Sequence, residues 1–440
     1  MSATLLRLTR AQPQELPAAL WAFVCFYALL AGYYVLRPLR DEMGLQLGAD
    51  TLQRLFAAVF VSMLVLVPVF GWLTRRFARK RLLPWLYGFF ALNLVGWHEL
   101  LLFGSPQSRG TAAAFFVWVS VYNLFAVSLF WSLMADLFTT EQAERLVGFI
   151  AAGGTAGALT GPLVTLALVG PFGPKGLVLV SAALMLLSVA ALVRLRGWAA
   201  RHPRGADEGE QPFTGSVWTG LQDLLRSRYL QAIAGFLLLY SLLSTFLYFT
   251  QVELVPQRLP DSAARTRLLA GMDWAVNLLA LAVQLLAFGT WVRRAGVRWV
   301  LVALPGVSVL GFAALAATAG DTALAVLVVF GVVRRAGEYA VTKPARETLF
   351  NALPPEQQYR AKNAIDTLVH RTGDTASAWL IAGLRGLGVA HATQVLLAVP
   401  VSLGWAALAW WLGGRAQALR DASGGSGFRR DAGDATGDRG

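Results

Sequence analysis

Apolar runs of about 20 residues, the length that crosses the hydrocarbon core of a bilayer, recur along almost the whole of this chain. They fall at roughly 18–37, 54–74, 82–104, 112–137, 146–169, 176–196, 229–251, 267–292, 299–319, 322–341, 362–384 and 392–412. In lipid every backbone N–H and C=O must be satisfied within the protein, and a helix does this segment by segment. The pattern therefore predicts an all-α polytopic membrane protein with about twelve transmembrane helices. Composition agrees. The chain is 56% hydrophobic and only 14% charged, where a soluble domain carries about 25% charge.

A net charge of +13 over 440 residues would suggest nucleic acid in a soluble protein. Here its placement gives another meaning. Arg75, Arg76, Arg79, Lys80 and Arg81 follow the second run, Arg194, Arg196, Arg201 and Arg204 the sixth, and Arg293, Arg294 and Arg298 the eighth. Lys343, Arg346 and Arg360 lie between the tenth and eleventh, and Arg415 and Arg420 follow the twelfth. Arg109 and Lys175 are isolated cations in alternate connections. By the positive-inside rule both termini and the central loop are cytoplasmic. A bacterial inner membrane is the expected location, with no nucleic-acid partner and a monomer as the expected state. The single cysteine, Cys25, permits no intramolecular disulfide and no cysteine-based metal site. The first run lacks a small-residue cleavage site and is expected to stay as a membrane helix.

Two stretches repeat at nearly constant offset. Gly71-Trp72-Leu73-Thr74-Arg75-Arg76 is echoed by Gly289-Thr290-Trp291-Val292-Arg293-Arg294, 289 − 71 = 218 residues on. Glu141-Gln142 with Arg145 is echoed by Glu356-Gln357 with Arg360, 356 − 141 = 215 residues on. The echoes divide the chain into an N-terminal six-helix half (1–196), a cytoplasmic linker (197–228), a C-terminal six-helix half (229–412) and a tail (413–440) expected to be disordered. Two parallel-repeat halves resemble the major facilitator superfamily, whose substrate site lies at the bilayer midplane. The loop after the second run is similar to that family's G-x-L-x-D-R-x-G-R-R signature at Gly71, Leu73, Arg76, Arg79 and Lys80. It departs at Arg75 and Ala78. Gly148, Gly157, Gly161 and Pro162 are spaced like the superfamily's antiporter-associated glycines, and read equally well as helix-packing residues.

Charge inside a membrane helix is costly, so it is kept where it is paired, watered or used. The first run ends in Arg37-Pro38-Leu39-Arg40-Asp41-Glu42, with Pro38 expected to break the helix. This reads as the charged mouth of a solute path, or as arginines snorkelling to headgroups. Lys362, Asp366, His370 and Asp374 follow at i, i+4, i+8 and i+12, one slanting polar stripe on a helix. Arg335 and Glu338 can pair three apart. Arg334, Arg335 and Lys343 exceed what Glu338 neutralises, which favours an anionic cargo. Asp136, Glu99 and Asp374 are candidate proton or coupling sites; His98–Glu99 reads as a pair that hydrogen-bonds a neighbouring helix, with a proton relay as the lesser alternative. Tyr248, Thr250, Gln251, Asn277 and Gln284 could bond a substrate or join helices. No nucleotide-hydrolysing loop, metalloprotease motif or nucleophile elbow is present. The expectation is therefore no catalytic residue, no enzyme activity, no metal and no cofactor.

Three further stretches are similar to the ATP/ADP translocase family of nucleotide carriers. Leu36-Arg37-Pro38-Leu39-Arg40-Asp41 resembles its L-R-x-x-K-D. Ser128-Leu129-Phe130-Trp131 through Asp136, Glu141 and Ala143 resembles its S-L-F-W stretch. Ala361-Lys362-Asn363-Ala364-Ile365-Asp366, preceded by Arg346-Glu347, resembles its K-x-K-A-A-[IV]-D. Asn123 and Tyr248 stand near the places where the family has acids. The resemblance implies that Arg40, Arg346 and Lys362 engage phosphates. It implies secondary transport of a nucleotide or other anionic metabolite by alternating access, with exchange. A proton-coupled exporter of an uncharged or cationic solute is the alternative, and a non-transporting membrane sensor is the alternative of another class.

Overall fold

The computed structural model describes residues 11–76, 79–103, 108–202, 217–351, 353–365 and 369–434, and they are almost entirely helical. In chain order the helices are α1 Leu16–Leu47, α2 Ala49–Arg76, α3 Arg79–Phe103, α4 Arg109–Leu137 and α5 Thr140–Arg201. After α6 Val217–Arg226, inside the expected linker, come α7 Arg228–Arg258 and α8 Ser262–Val283. Then follow α9 Gly289–Ala316, α10 Gly320–Gly337, α11 Lys343–Phe350, α12 Pro355–Ala364, α13 His370–Gly386 and α14 His391–Asp434.

Among the described residues nine helices are long and apolar enough to cross a membrane. The other expected spans have visible causes. α5 holds two spans in 62 residues, bent at Gly173 with φ 67°. In the same way Gly296, at φ 75°, breaks α9 where the eighth run gives way to the ninth. Only glycine adopts that left-handed backbone without steric cost. The tenth and eleventh runs carry several charges, among them Arg334, Arg335 and Glu338 in the tenth and Lys362, Arg371 and Asp374 in the eleventh, which lower their hydropathy.

Three expectations are corrected. α1 does not stop at Pro38 but runs through it to Leu47, because helix packing around the first span compensates for the lost hydrogen bond. The stripe Lys362–Asp366–His370–Asp374 is not carried by one regular α-helix. α12 ends at Ala364, Ile365 and Val369 lie in wider π-type turns, and α13 begins at His370. α14 continues to Asp434, where a disordered stretch is expected from 413. A Cβ on Gly413 would lie 2.7 Å from the Arg298 backbone, so this glycine serves a close helix crossing rather than a linker.

The chain forms two compact units, Met1–Glu210 with Val252–Leu278, and Gln211–Gln251 with Leu279–Gly440. In the first, α1 lies between the two arms of α5. A Cβ on Gly153 would meet the Phe23 carbonyl oxygen at 2.5 Å, and one on Gly161 the Ala31 oxygen at 2.7 Å. The second arm donates Ser181 Oγ to the Gly32 carbonyl at 3.0 Å and Ser188 Oγ to the Cys25 carbonyl at 3.2 Å. Small residues let the backbones close in, and hydroxyls take up the space. In the second unit π turns at Gln284–Phe288 and Glu338–Thr342 interrupt their helices. Gln284 Nε2 donates to the Tyr339 carbonyl at 3.0 Å, so a side chain from one π turn bonds the backbone of the other.

Candidate functional site

In the first unit the charges of α1 are all engaged. Arg37 Nε lies 3.7 Å from Asp273 Oδ2 on α8, with its guanidinium 5.7 Å from the Tyr34 ring. Arg40 pairs with its neighbour Asp41, reaches Ser120 Oγ at 3.5 Å and covers the Phe116 ring at 5.1 Å. Glu42, 1% exposed, accepts from Arg265 Nη2 at 2.7 Å and Nε at 3.2 Å, and from Gln46 Nε2 at 2.9 Å. Arg265 Nη1 completes its fork on the Leu259 and Pro260 carbonyls at 3.1 and 2.7 Å. Between α1 and α8, therefore, cation meets anion on one rung and anion meets cation on the next. Burial strengthens each pair and makes loss of either member costly.

In the second unit a polar network runs through α7, α10 and α13. Arg334, only 2% exposed, donates to the Tyr240 carbonyl at 3.1 Å and Ser244 Oγ at 2.8 Å. It also lies over the Tyr240 ring at 5.0 Å. The Tyr240 hydroxyl donates to Glu338, and the Ser241 hydroxyl to Asp374. Lys343 Nζ is 3.8 Å from Glu338 Oε1, while the Arg334 guanidinium lies in the field of the same carboxylate. Further on, Lys362 Nζ bonds Glu347 Oε2 at 2.6 Å and Arg346 Nη2 lies 3.6 Å from Glu347 Oε1. Each of these two carboxylates answers two cations.

The structure thus groups Arg37, Arg40 and Asp41 in one unit, and Glu338, Arg346, Lys362 and Asp374 in the other. Arg335 is partly buried beside Arg334. Asp366 lies outside the described residues, as does the side chain of His370. Asp136 is half-buried at the end of α4 and Glu99 is exposed on α3. His98 Nδ1 sits 3.3 Å from the Lys175 carbonyl on α5, a contact to a neighbouring helix of the kind the sequence favours for it over a relay with Glu99. Asn277 donates to the carbonyls of Ala158 and Asp273, and Thr250 to its own helix at Phe246. Asn277 and Gln284 thus join helices, whereas Thr250 bonds within its own. Sequence reasoning missed Arg265, Tyr240, Ser241 and Ser244. For Arg265 the signal was Glu42, a carboxylate on a membrane helix that needed a cation from elsewhere. Among the described residues no group of three His, Cys, Asp or Glu side chains could hold a metal.

Long apolar helices around buried, mutually paired charges define a polytopic membrane transporter. The chain belongs to the major facilitator superfamily, whose family model matches residues 18–332. Solved structures similar to it include the nucleoside transporter NupG, with a TM-score of 0.60 at 12% identity, covering 93% of this chain and 99% of that one. The POT family transporter PepTSo gives a TM-score of 0.63 at 12% identity, covering 91% and 98%. A bacterial homologue of the iron transporter ferroportin gives 0.62 at 16%, covering 90% and 100%. At such identities the likeness is one of fold. A search of curated proteins finds no match to this sequence.

Proposed function

We propose that this chain is a secondary transporter of a phosphorylated or otherwise anionic metabolite, nucleotides among them, working by alternating access and exchange. The observation that carries the reading is the excess of cations in the second unit. Glu347 meets both Arg346 and Lys362, while buried Arg334 donates to neutral acceptors, the Tyr240 carbonyl and Ser244 Oγ. A cation set against a shared carboxylate or a neutral acceptor can still take up an incoming phosphate or carboxylate. Lys362 and Glu347 are about two-fifths exposed, so solute reaches them.

By the resemblance, Arg40 in the first unit and Arg346 and Lys362 in the second are the residues that engage phosphates, and Arg37, Arg335 and His370 are the further cationic candidates. Asp41 and Glu338 hold Arg40 and Lys343, and Asp366 is the third acidic candidate. Asp136, Glu99 and Asp374 are the candidates for a coupling proton. The resemblance of 36–41, 128–143 and 361–366 to ATP/ADP translocases supports the same cargo. The protein works as a monomer in a bacterial inner membrane with both termini in the cytoplasm.

The test is uptake of labelled ADP into liposomes preloaded with ATP. Arg40→Ala and Lys362→Ala are each expected to lower the rate at least tenfold while the proteins remain folded and monodisperse. Unchanged exchange by both variants would overturn the reading. So would a wild-type protein whose flux follows a pH gradient and ignores competing anions.

A further inference from the structure

Arg109 is the one arginine or lysine between Arg81 and Arg145, and Lys175 the one between Arg145 and Arg194. The fold brings these two isolated cations, with His98, onto a single cavity of about 610 Å³ in the first unit. Neither cation has a carboxylate partner among the described residues. Arg109 Nη2 donates only to the neutral Leu47 carbonyl at 3.1 Å. The acids on the same wall are already engaged. Glu42 is held by Arg265 and Gln46, and Asp261 Oδ2 accepts from the Ala264 amide at 2.8 Å. Three helices also begin at this wall, α4 at Ser108–Arg109, the second arm of α5 after Gly173, and α8 at Ser262. Their N-terminal dipoles add to the field of the two cations. Leu39, Met43, Leu101 and Phe172 also line the cavity and give it apolar surface, and Phe172 and Leu102 are exposed.

We infer that this cavity is an anion site, separate from the transported solute, that takes a phosphate group. Its cations suit the phosphodiester headgroup of an anionic phospholipid and its apolar side chains the attached acyl chains; free phosphate shares the headgroup's chemistry. The site uses none of the residues assigned to transport, so it stands or falls independently of the cargo.

The experiment is native mass spectrometry and thermal shift of the full-length detergent-purified protein. The probes are phosphatidylglycerol, phosphatidylcholine and inorganic phosphate. Wild type is expected to bind phosphatidylglycerol more tightly than phosphatidylcholine. Arg109→Gln/Lys175→Gln is expected to weaken that binding by about tenfold per lost charge-assisted bond. Arg109→Lys/Lys175→Arg, which keeps both charges, should restore it, separating a loss of charge from a loss of fold. Selective binding of phosphatidylglycerol assigns the site to lipid, and binding of inorganic phosphate, also lost in the Gln variant, assigns it to a soluble anion. Equal binding by wild type and the Gln variant, or no binding of either anion by wild type, overturns the site.

Discussion

Glu42 and Arg265 show how a single residue gains its meaning. A carboxylate at 1% exposure is tolerated only because a guanidinium fork closes on it. Removing one member of such a pair leaves a buried charge and costs about 3–5 kcal/mol, whereas replacing both with apolar groups is often neutral. Glu42→Leu is therefore expected to lower the melting temperature sharply in detergent, and Glu42→Leu/Arg265→Met to recover most of the loss. A double variant as unstable as the single one would show that the pair contributes through its hydrogen bonds to Gln46 and the 259–260 carbonyls instead. Arg334 belongs to the same class, with Tyr240 and Ser244 dividing its donors.

At the scale of the element, the fit of α5 against α1 rests on missing side chains. The glycines read from the sequence as an antiporter-like pattern divide in the structure. Gly161 faces the Ala31 carbonyl with no room for a Cβ, while Gly148 has nothing within 4 Å. Gly161→Val should cost about 1–3 kcal/mol through overpacking, and Gly148→Val should leave the melting temperature within experimental error. The thermal unfolding of the two variants, measured side by side, checks this. Equal effects would mean that the glycines matter for conformation rather than for close approach. The π turns at Gln284–Phe288 and Glu338–Thr342 are irregularities of another kind. Such turns shift the register of side chains and recur at functional sites. The second begins at Glu338, the carboxylate that accepts from the Tyr240 hydroxyl and lies 3.8 Å from Lys343.

For the whole molecule, the family and the helical architecture follow from patterns that any bilayer imposes. Binding of a solute to the folded state raises its apparent stability by mass action. Thermal shift against ADP, sugar phosphates, inorganic phosphate and cationic drugs should show stabilisation by ADP, weakened at high salt and absent in Arg40→Ala. A response to a cation or neutral solute alone would mean a transporter of the same superfamily with a different cargo.

The sequence determined the spans, because hydrophobic length and cation placement are local properties that the bilayer reads directly. It also showed that 36–42 and 334–374 carry unusual charge, since any ionisable residue in an apolar run stands out. It did not determine which charges meet. Glu42 and Arg265 are 223 residues apart, and Ser241 and Asp374 are 133 apart. Lys362 meets Glu347, 15 residues back on another helix. Pairing of this kind depends on which helix faces pack together, and that is fixed by close contacts such as those of Gly153 and Gly161 with α1. Only the tertiary structure decides it, because a buried charge is satisfied by whatever side chain packing brings within reach, however distant in the chain.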